Sequence, residues 1–94
     1  MDNDDLTKAR LLFSLARKRK WGKSHTAYEN IFRIFRSESF GKEGLGYAKK
    51  LANGLIREGF ILKKPTHYGE QVSLNPKRLK EIKKLIKDNL GFDV

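Results

Sequence analysis

Ninety-four residues make one small domain (1–94) with a limited core and correspondingly modest stability. Hydrophobic residues at 38% exclude a disordered chain, and the lack of cysteine excludes disulfide scaffolds and thiolate metal sites. Lys and Arg total 21 against 11 acids, a formal net charge of +10.

Position sharpens that imbalance. Five acids (Asp2, Asp4, Asp5, Asp88 and Asp93) lie at the two ends, and between Arg17 and Lys87 bases outnumber acids 19 to six. An anionic partner is therefore expected: a nucleic-acid backbone, an acidic membrane face or an acidic protein. A surface built only for solubility or thermal tolerance is better served by a balanced Lys/Glu mixture. No apolar run approaches the roughly 18 residues of a membrane span, and the start "MDNDDLTK" is too acidic for a signal peptide. These features point to a cytoplasmic protein that does not enter membranes.

The first predicted helix covers about 4–18, where Leu6, Ala9, Leu12, Phe13 and Ala16 recur at helical spacing, widened by Leu11 and Leu15. Asn3 or Asp4 suits its cap, and the early aspartates suit the positive end of its dipole. The basic exit "RKRKWGK" follows, broken at Gly22, then a short extended piece over Lys23–His25. A second helix is predicted over about 27–36, with Thr26 and Glu29 in the form of a capping box. Ala27, Ile31, Ile34 and Phe35 share its apolar face, with Tyr28 and Phe32 beside them. "SESFGKEG" interrupts the pattern.

A third helix is predicted over about 44–58, with Lys42 as an alternative start. Its buried stripe is Leu45, Ala48, Ala52, Leu55 and Ile56, and Gly59 stops it. Phe60 and Leu62, then Val72 and Leu74, alternate as two strands of a hairpin over about 60–74. The stretch between them is expected to be a long loop carrying Lys63, Lys64, Pro65, Thr66, His67 and Tyr68. A fourth helix over about 76–90 has Asn75 as cap and Pro76 in its first position. Its apolar side, Leu79, Ile82, Leu85 and Ile86, is expected to meet the first helix or a second subunit, the latter giving a homodimer through terminal helices.

The segments "TAYENIFRIFRSESFGKEGLGYAKKLANGLIREGF" and "EGFILKK…QVSLN" together resemble the winged helix-turn-helix superfamily, over nearly the whole chain. The resemblance implies an α+β fold, mainly α with a small β-hairpin, in the order α-β-α-α-β-wing-β-α. The link before the third helix departs from the pattern by being longer and richer in glycine than a tight turn. It also implies that the third helix enters a major groove of double-stranded DNA while the hairpin lies on the backbone.

The chemistry of the residues agrees with that expectation. The side of the third helix opposite its apolar stripe carries Lys42, Tyr47, Lys49, Lys50, Asn53 and Arg57, groups suited to phosphates, guanine edges and adenine. In the hairpin, Lys63 and Lys64 suit phosphates, while His67 and Tyr68 add bonding and stacking groups. Lys23 stands at the entrance to the second helix, beside the run "RKRKWGK", which is able to clamp a phosphate backbone. Trp21 reads as a hydrophobic lid rather than a stacking platform. A solvated basic face is the plainer alternative for the third helix, and an ordinary hairpin loop for His67 and Tyr68.

Gly44, Gly46 and Gly54 each cost about 1 kcal/mol against alanine inside a helix. Close packing of the second helix on Gly54 is the simpler explanation. Approach of a backbone to phosphate at the early glycines is the other.

The sequence reads as no enzyme and implies no cofactor. It has two histidines, no cysteine and no Gly-rich phosphate loop with its lysine. His25 and Glu29 stand four apart, but a cap beside a capping-box glutamate explains them more simply than zinc. The expected function is a double-stranded-DNA-binding transcriptional regulator, nucleoid-associated when bound. The alternatives are a winged-helix protein-interaction module in a transcription or replication complex, and an RNA-backbone binder. A-form RNA would not admit the helix to its deep groove, so contact there would be with shape and backbone.

Overall fold

The structure, a computed structural model, describes residues 3–33 and 41–94, with only the backbone described at Asn3 and 41–43. It is a mixed α+β fold. In chain order it contains α1 (Asn3–Ala16), β1 (Thr26–Ala27), a 3-10 helix (Tyr28–Phe32) and α2 (Gly41–Arg57). There follow β2 (Ile61–Thr66), β3 (Gly69–Leu74), a 3-10 turn (Pro76–Arg78) and α3 (Leu79–Leu90). The three strands form one antiparallel sheet in the order β1-β3-β2. No described helix is long and apolar enough to cross a membrane.

α1 forms where the apolar stripe was expected, and Ala9, Leu11, Leu12, Leu15 and Ala16 are buried. Its regular part runs to Ala16, and the closing turn carries it to a C-cap at Lys18. Lys20 N donates to Leu15 O at 3.0 Å and Arg19 N to Ala16 O at 3.0 Å, the paired bonds of a Schellman closure. That closure needs a left-handed residue, and Arg19 supplies it at φ +57 in the place usually taken by glycine. The loop then turns at Trp21–Ser24, with Ser24 N bonded to Trp21 O at 3.0 Å. Gly22 N donates to Leu74 O, and the buried Ser73 hydroxyl donates to Gly22 O. Trp21 packs against the core, as the lid reading expects.

Two expectations are overturned in the next segment. The extended piece comes at Thr26–Ala27, not Lys23–His25, because the turn at Trp21–Ser24 delays the straightening of the chain. Thr26 then pairs with Val72 and Ala27 with Gln71. The described part of the predicted second helix consequently opens as a strand and a 3-10 helix and becomes α-helical only at Arg33, while residues 34–36 lie outside the described residues. The capping box does not form. Ala27 is the cap and has no side-chain bond, while the Thr26 hydroxyl accepts from Asn30 Nδ2 at 2.9 Å. Ladder bonds to β3 have taken the backbone that a helix start at Thr26 needs.

α2 starts at Gly41, earlier than either expected start, and stops at Arg57. Ala48, Ala52 and Leu55 are fully buried, with Leu45, Leu51 and Ile56 beside them. Burial of Leu55 alone is worth about 1.5–3 kcal/mol, which offsets the cost of a helical glycine. Among the described residues nothing packs closely on Gly54. A Cβ there would meet only Arg57 Nη2, at 3.9 Å, and one at Gly46 would meet nothing within 4 Å.

The hairpin is tighter than expected. Lys63, Lys64, Pro65 and Thr66 are strand residues, paired with Val72, Gln71, Glu70 and Gly69, so only His67 and Tyr68 turn. The Thr66 hydroxyl accepts from Tyr68 N and donates to Gly69 O at 2.6 Å, and Gly69 takes φ +105. Those local bonds shorten the loop. Pro65 is tolerated because β2 is the edge of the sheet.

At the last helix, Asn75 Oδ1 accepts from Lys77 N at 3.0 Å and Pro76 opens the turn. Gly91 closes the helix at φ +82. Ile82 and Ile86 are buried, and α3 packs on α1. The apolar side of α3 is thus used within the chain.

Candidate nucleic-acid interface

Helical geometry places Gly46, Lys50, Asn53 and Arg57 opposite the buried stripe of α2, and all four are exposed. The flanks of the helix differ. On one, the 3-10 helix covers α2: Tyr28 Oη donates to Asn53 Oδ1 at 3.0 Å, and Lys49 Nζ lies 5.9 Å from the centre of the Phe32 ring. On the other, Lys50 and Arg57 join Lys8 of α1 along a cleft of about 290 Å³. Glu58 lines the same cleft, yet no described carboxylate pairs with Lys50 or Arg57.

Tyr47 turns away from that outward stripe, its hydroxyl donating to Asp4 of α1. Lys42 lies in the first turn of α2, and its side chain is outside the described residues.

The hairpin reaches α2 through Tyr28. Lys63 and Val72 are cross-strand partners, and strand alternation puts Lys63 on the same face as buried Ile61. Its ammonium sits 5.9 Å from the Tyr28 ring centre and 3.1 Å from Glu70 Oε2. Lys64 points to the opposite face and is exposed. His67 and Tyr68 occupy the turn, where Tyr68 is 95% exposed. Lys23 is not gathered in: it follows Gly22, which is bonded to Leu74 at the far end of β3 from the turn.

Tyr28 was read from sequence only as flanking core, and its linking role was missed. The same hydroxyl has its pKa raised above the ordinary 10.0, first by burial and then by the charges of Glu29 and Glu70. Lys8 and Glu70 were also missed. Fixing the hairpin register from Gly69 would have placed Glu70 diagonally across from Lys63; nothing in the sequence signals Lys8.

Chemically, the surface offers free cations on α2 and at Lys64, a two-residue turn with exposed ring groups, and an amide already engaged at Asn53. Comparison with known proteins finds no family model, curated protein or solved structure that matches the chain.

Proposed function

We propose that this protein is a winged helix-turn-helix protein that binds double-stranded DNA, with α2 in the major groove and the hairpin on the backbone. The observation that carries this is the outward stripe of α2, where Lys50 and Arg57 stand exposed and without an acidic partner among the described residues. Charges held apart from carboxylates keep their full attraction for phosphate, and guanidinium also bonds guanine edges. Glycine at Gly46 keeps that stripe low where a backbone would approach. Lys64 adds a phosphate contact from the hairpin, and Arg57 and Asn53 probe bases once Tyr28 has oriented the amide. Transcriptional regulation is the role we propose for such binding, which would hold the protein at the nucleoid.

A gel-shift comparison of duplex DNA, single-stranded DNA and duplex RNA tests the reading. Preference for duplex DNA is expected. Preference for duplex RNA would favour the backbone-binding alternative, and binding to none of the three would favour a protein-interaction module.

A further inference from the structure

A separate cavity of about 550 Å³ opens between the end of α1, the loop after it and the start of α3. That volume falls within the range of small-molecule sites. Phe13, Trp21 and Leu79 line it with apolar surface, and Leu79 stays 38% exposed there. Its charged side chains are those of Arg17, Arg19, Lys83 and Asp93, and Val94, the last residue of the sequence, lines it as well. Asp93 is turned to Lys87, 3.5 Å away, and none of the three cations makes an ion pair among the described residues.

Arg19 is the second observation. It holds the left-handed conformation at φ +57 where glycine would serve the backbone better, and among the described residues its side chain makes no ion pair. A side chain kept at a strained position and directed to a cavity lining is a mark of use outside packing.

We propose that this cavity binds a small hydrophobic carboxylate. Its apolar body lies against Phe13, Trp21 and Leu79, and its carboxylate bonds the guanidinium groups of Arg17 and Arg19. Guanidinium forks match a planar carboxylate in two parallel bonds. A nucleic-acid backbone is a poorer occupant, because it is polar throughout and would leave the apolar lining wet.

Trp21 is the only tryptophan, so its emission reports occupancy directly. Titration with 2-naphthoate is expected to give a saturable change, and the neutral 2-naphthalenemethanol to bind about tenfold more weakly or less. Arg19→Gly suits the backbone, so it should melt no lower than the parent while losing about tenfold in naphthoate affinity. Arg17→Gln should lose a similar factor, and Lys50→Gln on α2 none.

No saturable change at millimolar naphthoate would overturn the proposal. So would equal binding of the alcohol, or parental affinity in both arginine variants. None of these measurements involves DNA, so their failure leaves the duplex reading untouched.

Discussion

α2 and α3 both carry a basic side opposite an apolar one, yet the two basic sides are built differently. On α3 two of the four lysines are matched by local acids, Lys84 Nζ lying 3.0 Å from Asp88 and Lys87 Nζ 3.5 Å from Asp93, while Lys80 and Lys83 have no ion pair among the described residues. Just before it, Arg78 Nε lies 3.1 Å from Glu81, near enough for attraction though not aligned as a hydrogen bond. The helix contains no glycine. On α2, Lys50 and Arg57 have no such partners among the described residues, and glycines interrupt the helix at 46 and 54. A count of lysines and arginines together would rank the two helices alike. Neutralisation by neighbouring acids separates a solvated face from one left available to an anion.

The largest expected effect concerns salt. If about six phosphates are neutralised, duplex affinity should fall on the order of a thousandfold between 50 and 200 mM salt. Fluorescence anisotropy across that range checks it, and a flat response would break the comparison at its root. Next, Arg57→Gln and Lys50→Gln should each weaken duplex binding about tenfold, while Lys84→Gln on α3 should change it less than about twofold. Arg57→Gln and Asn53→Ala should also alter sequence preference, whereas Lys64→Gln should weaken all duplexes alike.

Stability sharpens the contrast further. Gly46→Ala and Gly54→Ala should each raise stability by up to about 1 kcal/mol, read from denaturant midpoints, because the added methyl has room. The same variants should lower duplex affinity if the backbone of α2 lies close to DNA.

Removing the Tyr28 hydroxyl should cost about 0.5–1.5 kcal/mol, toward the low end because the bond to Asn53 is exposed. A tyrosine whose folded pKa is raised holds its proton more tightly in the native state than in the unfolded chain. Its contribution is complete below pH 10.0, the ordinary value, and is lost as pH rises through the higher folded value. Alkaline denaturation of Tyr28→Phe should therefore be flatter above about pH 10 than that of the parent.

How legible the molecule was in its sequence varied with the range of the forces involved. The ends of α3 could be read because Asn75, Pro76 and Gly91 act on their own backbone. The apolar stripes of α1 and α2 were equally plain. Thr26 and Ala27 were misread because their state depends on Val72 and Gln71, far along the chain, while the local Thr-x-x-Glu pattern favoured a helix. The hairpin loop was drawn too long because its closure rests on the hydroxyl of Thr66 and the φ of Gly69.

Among the candidate site residues, exposure was foreseeable from helical spacing. Partnership was not: Tyr47 with Asp4, and Asn53 with Tyr28, both join separate elements.

The Tyr28 side chain has a mechanical consequence. One ring touches a helix residue by its oxygen and a strand lysine by its face, so it sets the gap between α2 and the hairpin. Neither element swings alone without breaking one of those contacts. A partner that touched both would find their spacing already set, the entropy of aligning them having been lost during folding rather than at the moment of docking.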